Sequence, residues 1–266
     1  TAQHAINQVK AGVDILVVSG TEAGGHCGSV STMVLIPEVH KAIQPYGDVP
    51  ILAAGGIATG KQMAAAMSMG ASGAWCGSVW LTTAESEVPP IIKQKMIEAS
   101  SSQTTRSRSR TGKHSRQLVS AWTQAWEADG APEPLPMPLQ PMVAEPALAK
   151  VNKLAEGGHE GAKDLSTYWV GQGVGLMNQS ISASDVVQEF KEDFIEAYER
   201  LANFITNKKL HILINGFNGK MGQAIQAQCK TLSDIQVNDF LAKEKKPSNV
   251  SAVIDFSSPE GFVNAL

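Results

Sequence analysis

A chain of 266 residues holds enough material for one large domain or two modest ones. Its 43% apolar and 18% charged residues fit a folded globular protein, and a formal charge of −3 gives no basis for nucleic acid or an acidic membrane as the main partner. No apolar run approaches the roughly 18 residues that cross a bilayer, and no secretory leader is visible. Cys27, Cys76 and Cys229 are far apart and lack metal-ligand spacing, so no metal is expected and the thiols read as those of a reduced, cytoplasmic protein. The chain begins without Met and stops as a helix starts after Pro259, so both ends read as cut.

In chain order, Ala2 to Ala11 predicts a helix with Ala5, Ile6 and Val9 on one side, stopped by Gly12. Asp14 to Val18 predicts a buried strand, and Pro37 to Ile43 a short helix with proline in its first turn. A strand over Val49 to Ala53 follows, then a helix capped by Thr59, running through Met69 and ended by Gly70. Met63, Met67 and Met69 read as core. A third strand spans Gly73 to Cys76. Helices alternating with strands predict a parallel sheet.

The middle changes character. Ser100 to Ser115 is rich in Ser, Thr and Arg without an apolar period, and Arg106, Arg108, Arg110, Lys113 and Arg116 make it basic. It is weighed as a phosphate or carrier contact but read as a solvated loop. Leu118 to Glu127 predicts a helix with Trp122 and Trp126 packed at i, i+4, and proline-dense Ala131 to Pro146 predicts irregular chain. A long helix, capped by Ser184, runs to Ile205 with Val187, Phe190, Phe194, Tyr198, Leu201 and Ile205 as its apolar stripe. After a polar joint at Thr206 to Lys209, a strand (Leu210 to Asn215), a glycine turn, a helix (Lys220 to Cys229) and a last strand (Val250 to Asp255) predict a second domain.

Three successive strand ends carry glycines and a polar group: Gly24, Gly25 and His26; Gly55 and Gly56; Gly77 and Ser78. Paired glycines let a ligand approach the backbone, and Gly55 and Gly56 precede a helix whose N-terminal N–H groups would favour an anion. A (β/α)8 barrel presents a phosphate cradle and a reactive side chain at one face in this way. A tight turn explains one glycine pair as well; two pairs at adjacent strand ends favour phosphate. A lone histidine is more often structural, but His26 shares the face of the cradle, and histidine titrates near neutral pH as a proton acceptor must. Glu22 reads as a helix cap or ion-pair partner without a chemical role.

Ser19 to His26, Ala53 to Gly60 and Gly70 to Ser78 together resemble the nitronate monooxygenase family, with tail signals at Pro134 to Gln140 and Gly171 to Gly175; the resemblance covers Thr1 to Ile205. It implies an FMN-dependent barrel that oxidises alkyl nitronates with O2 to a carbonyl compound and nitrite. His26 would be the catalytic base; Gly55, Gly56, Gly77 and Ser78 would hold the FMN phosphate, with Gly24 and Gly25 beside flavin or substrate. FMN-dependent enoyl-acyl-carrier-protein reductases share much of the pattern, including Pro37-Glu38-Val39; the tail favours the monooxygenase. The family's barrel begins upstream of what is present here, so the barrel expected is incomplete and the chain alone is inactive or unstable on that reading.

The second segment carries Gly216-Phe217-Asn218-Gly219-Lys220-Met221-Gly222 after its strand, the spacing of a dinucleotide fingerprint in which Gly222 allows close helix–strand packing. With Val253 to Glu260, it resembles the N-terminal piece of dihydrodipicolinate reductase, a lysine-biosynthesis enzyme, over Lys208 to Leu266. That implies NAD(P)H binding through Gly216, Gly219, Lys220 and Met221, with Phe256 and Ser257 near the cofactor. The family's catalytic His and Lys are not in this segment. The expected architecture is α/β: an incomplete (β/α)8 TIM-type barrel with a helical tail over 1–205, then an incomplete Rossmann-type βαβ unit over 206–266. The leading function is flavin oxidoreduction; an NADPH-using reductase and a non-catalytic fragment or fusion are the alternatives.

Overall fold

The computed structural model describes residues 1–207, 210–232, 235–240 and 250–255. The chain divides into two compact units, Thr1–Ala197 and Tyr198–Leu266. The first opens with helix α1 (Ala2–Lys10), strand β1 (Leu16–Ser19), the two-residue strand β2 (Gly25–His26) and helix α2 (Thr32–Ile43). It continues with β3 (Ile51–Ala54), α3 (Gly60–Ser68) and β4 (Gly73–Trp75).

Strands β1, β3 and β4 form a parallel sheet in that order, with Leu16 opposite Ile51 and Ala54 opposite Trp75. Side chains alternate across a strand, and here the alternation divides core from site. Leu16, Val18, Ile51 and Ala53 turn into an apolar core with Ala5 and Val9 of α1 and Leu35, Ile36, Val39 and Ile43 of α2. Val17, Ser19, Ala54 and Trp75 face a cavity on the other side. Helix α2 starts five residues before the predicted point, so Pro37 lies inside it rather than in its first turn; burial of Leu35 to Ile43 outweighs the one backbone hydrogen bond that proline removes. Thr59 caps α3 as expected, its hydroxyl accepting from Gln62 N–H at 3.3 Å. Met63 and Met69 pack on the core, but Met67 is exposed.

The basic, Ser-rich stretch is not a solvated loop. After α4 (Pro90–Glu98), Thr104–Ser107 and Ser115–Leu118 form β5 and β6, an antiparallel pair to which β2 adds as the third strand, in the order β2-β6-β5. Its interior is polar and hydrogen-bonded, which explains why no apolar period marks it. Gln117 donates to Ser109 Oγ at 3.1 Å, and Arg116 donates to the Thr21 carbonyl at 2.8 Å and to Thr104 Oγ1 at 3.0 Å. Leu118 therefore ends a strand, and the tryptophan helix α5 covers only Ala121–Glu127, its two indoles 6.1 Å apart.

Helix α6 (Leu139–Glu156) overturns the irregular chain expected through Pro146. Pro141 occupies the first turn, where no N–H is required, and Pro146 is tolerated because Ala144, Leu148 and Ala155 are buried. Gln140 ties its start down, donating to the Ser109 carbonyl at 2.7 Å and accepting from Leu135 N–H at 2.9 Å. Helix α7 (Glu160–Leu165) and α8 (Ala183–Asn207) follow. Ser182, not Ser184, caps α8, accepting from Asp185 N–H at 3.1 Å. Val186 and Phe190 supply its burial, while Val187, Tyr198 and Leu201 of the expected stripe are exposed; the side chain of Ile205 lies outside the described residues.

The second unit contains β7 (Leu210–Asn215), α9 (Lys220–Cys229), β8 (Ile235–Asp239) and β9 (Ala252–Asp255). Its strands are parallel in the order β8-β7-β9, and central β7 buries Leu213, Ile214 and Asn215. Phe256, Ser257 and the expected helix after Pro259 lie outside the described residues.

Ile36 is fully buried between α1 and the parallel sheet. Its replacement by alanine is expected to lower the unfolding free energy by about 3 kcal/mol in urea titrations, whereas exposed Val34→Ala stays within about 0.5 kcal/mol.

Candidate active site

Three loop tips of the first unit converge on one cavity of about 480 Å³. Gly24 and Gly25 come from the loop after β1, Gly55 and Gly56 from the end of β3, and Gly77 and Ser78 from the end of β4. All six residues expected to cradle a flavin thus line the same space. Gly55 (φ +99°) and Gly56 (φ +74°) adopt left-handed backbone that a side chain would strain. A Cβ added at Gly77 would meet no atom within 4 Å, so a side chain there would occupy the cavity itself. Gly24 has a further reason to be small: a Cβ would stand 2.8 Å from the Gly171 nitrogen.

The loops are locked together by few contacts. The Glu22 carboxylate accepts from the Thr32 N–H and lies within reach of the Thr32 hydroxyl, both at 2.9 Å, so it caps α2 from a distant loop. The single hydroxyl proton of Thr32 is shared with the Gly55 carbonyl, 3.0 Å away. Ser78 Oγ accepts from Gly171 N–H at 2.8 Å, leaving its own proton available to an anion in the cavity. The N-terminus of α3, in contrast, does not supply the free donors expected. The N–H of Gln62 is taken by Thr59, the N–H of Ala58 by the Gln62 side chain at 2.8 Å, and neither Thr59 nor Gly60 lines the cavity.

His26 lies on the wall of an adjoining cavity of about 560 Å³, and Ser19 lines both. The β2–β6 pairing sets its backbone opposite Ser115. Its Nε2 is 2.7 Å from Thr111 Oγ1. The Thr111 oxygen accepts from Lys113 N–H at 3.3 Å, and its one proton can be donated to the Lys113 carbonyl at 3.1 Å, in which case the oxygen also receives from the imidazole. With the hydroxyl turned to that carbonyl, Nε2 carries the imidazole proton and the basic lone pair falls on Nδ1, to which no hydrogen bond is made among the described residues.

Sequence reasoning missed Thr111, Trp169 and Gly173. Trp169 and Gly173 line the glycine cavity, Trp169 held by Arg110 stacked 3.8 Å over its ring and by its indole N–H to Ser115 Oγ at 3.3 Å. The Gly171–Gly175 run was the one visible signal for that wall; nothing local marks Thr111. Cys76 packs beside the core, and burial pushes its thiol above the ordinary cysteine range. Among the described residues no cluster of side chains suits a metal, and no helix is long and apolar enough to cross a membrane.

In the second unit, Gly216, Gly219, Lys220 and Met221 gather at the carboxyl end of β7. Gly216 turns the chain (φ +84°), Gly219 caps α9, and Lys220 and Met221 are exposed. A Cβ at Gly222 would stand 2.5 Å from the Gly216 carbonyl oxygen, so this glycine packs the helix start against the turn.

Residues 1–193 match the family model described as nitronate monooxygenase, and the chain belongs to that family. It is 51% identical over 206 residues to the Mycobacterium tuberculosis protein named "Putative monooxygenase Rv1533", covering 77% of this chain and 54% of that protein. A nitroalkane oxidase from Streptomyces ansochromogenes superposes with a TM-score of 0.64 at 27% identity, over 76% of this chain and 57% of the other. FabK from Thermotoga maritima does so with a TM-score of 0.63 at 30% identity, over 77% and 62%. The chain spans about half the length of the curated relatives it matches.

Thr111→Val removes the acceptor at Nε2. Nitrogen-15 NMR of the imidazole is expected to show a single Nε2–H tautomer for neutral His26 in the parent chain and a mixture of both in the variant; an Nδ1–H tautomer in the parent would reverse the assignment.

Proposed function

We propose that the first unit is the flavin-holding part of an oxidoreductase that acts on alkyl nitronates with O2 and forms a carbonyl compound and nitrite. The observation that carries this reading is the convergence of three glycine-bearing loop tips and Trp169 on one cavity, with an imidazole on the adjoining wall. Membership of the nitronate monooxygenase family and the likeness to a nitroalkane oxidase support it. On this reading β1, β3 and β4 belong to a (β/α)8 barrel, whose loops at the carboxyl ends of its strands carry the site. The partial barrel with its tail is assigned to residues 1–205.

The cradle fits FMN because its floor is backbone: side chains at Gly25 or Gly77 would stand in open space that the group would fill. Gly55, Gly56, Gly77 and Ser78 hold the phosphate, Ser78 through its free hydroxyl proton, and Gly24 and Gly25 flank the ring or the substrate. Bound FMN supplies the electron chemistry toward O2. His26 serves a nitroalkane that arrives protonated: the C–H bond beside the nitro group breaks, its proton goes to Nδ1, and its electron pair spreads onto the nitro oxygens. On this reading Thr111 donates to the Lys113 carbonyl and holds the imidazole proton on Nε2, which leaves Nδ1 free to accept.

An enoyl-acyl-carrier-protein reductase would use the same cradle, and likeness to FabK keeps that second reading open to assay. Aerobic nitrite release from an alkyl nitronate marks the first activity; NAD(P)H consumption with an enoyl thioester marks the second. For the second unit we propose an NAD(P)-binding βαβ element over 206–266, of the dihydrodipicolinate reductase type. It is supported by central β7 flanked on both sides by parallel strands, with the glycine turn at its carboxyl end, where open α/β sheets bind ligands.

Gly77→Ala is expected to leave the thermal midpoint within about 2 °C of the parent, since the added Cβ meets no protein atom within 4 Å, and Gly77→Val to lower FMN retention at least tenfold in visible absorbance after gel filtration. His26→Asn retains FMN but loses proton abstraction from a neutral nitroalkane by about 100-fold or more. Unchanged turnover in that variant would remove His26 from the reaction.

A further inference from the structure

Four arginines and a lysine fall between residues 106 and 116, and three of the arginines are accounted for. Arg108 pairs with Glu133 at 3.1 Å, Arg110 meets Glu145 in a two-pronged contact at 2.8 and 3.0 Å, and Arg116 donates to Thr21 and Thr104. Arg106 is different. One terminal nitrogen reaches the Cys27 carbonyl at 3.3 Å, and its buried Nε has no hydrogen-bond partner. It also sits directly opposite Arg116 in the β5–β6 register, a like-charge cross-strand pair that the Glu22 carboxylate near Arg116 offsets in part. Burial lowers the Arg116 guanidinium below the ordinary arginine range; the Arg106 charge pushes the same way, and Cys27 and the Glu22 carboxylate push back.

Arg106 lines the His26 cavity together with Lys113 and His114, and no carboxylate lines it. Ser19 lines both this space and the glycine cradle. The terminal N–H groups of a guanidinium and a nearby ammonium suit an oxyanion, which can accept from both. We infer that the basic cavity of Arg106, Lys113 and His114 binds a carboxylate or phosphate group at the far end of a substrate whose reacting end lies between His26 and the glycine cradle. The inference rests on the flavoenzyme reading for what lies at the reacting end, but the anion site itself is testable without turnover.

Titration calorimetry with inorganic phosphate and with succinate on the FMN-loaded chain, and on the chain as purified, tests it. The parent is expected to bind at least one of these anions stoichiometrically after flavin loading. Arg106→Gln weakens that binding at least tenfold, the scale of a lost charge-assisted hydrogen bond. Lys113→Gln weakens it severalfold. Arg106→Lys, which keeps the charge, stays within about threefold and guards against misfolding as the cause. Arg108→Gln leaves it unchanged. Tighter phosphate marks a phosphorylated tail and tighter succinate a carboxylate tail. No binding in the parent, equal affinity in Arg106→Gln, or an equal loss in Arg108→Gln overturns the inference. Flavin retention is read separately by visible absorbance: an absent anion step in a yellow protein sinks only the subsite, and an Arg106-dependent step in protein that takes up no flavin sinks only the flavoenzyme reading.

Discussion

One carboxylate organises the first unit. Glu22 leaves the loop after β1 and caps α2, and the Thr32 hydroxyl it holds also reaches the carbonyl of Gly55 at the end of β3. Two of the three glycine tips are therefore tied to the start of one helix, and that helix is seated by the fully buried Ile36 and its neighbours. A negative charge at a helix N-terminus is favourable by itself; here it also ties together two loops that the pairing of β1 with β3 has already set side by side. The third tip is joined through Ser78, whose oxygen accepts from Gly171 on a wall contributed by residues almost one hundred positions later.

The antiparallel ribbon of β2, β5 and β6 does what the parallel sheet cannot. Parallel strands give a cavity floor of backbone, small side chains and the Trp75 indole but no basic groups. The ribbon brings arginines, Lys113 and Thr111 beside the imidazole of His26, and Trp169 over the glycine cavity. Its buried polar side chains are arranged in a network where nearly every donor finds an acceptor, which makes the ribbon rigid enough to hold a histidine tautomer. Arg106 departs from that rule, its buried Nε lacking an acceptor while the residue lines the His26 cavity.

The second unit follows a simpler logic. A central strand buried on both sides, a left-handed glycine and a small residue at the helix start bring α9 close to its turn. These features are local, spanning Leu210 to Cys229, and they were legible as a strand–turn–helix before any tertiary contact was known.

Read along the chain, the residues determined the alternation of helix and strand through Trp75, the three glycine tips, the cap at Thr59 and the helix α9, because each rests on a period or a turn residue within a few positions. They misplaced the start of α2, dissolved α6 into irregular chain and left β5 and β6 as a loop. Prolines tolerated by buried neighbours and strands with polar interiors carry no local signature, since burial and hydrogen bonding are supplied by residues far away in sequence. Only the tertiary structure decided that Glu22 is a cap, that Thr111 meets the imidazole of His26 and that the Nε of Arg106 is left without an acceptor. Each of these depends on which distant atoms lie within about 3 Å, and no spacing along a single chain encodes that.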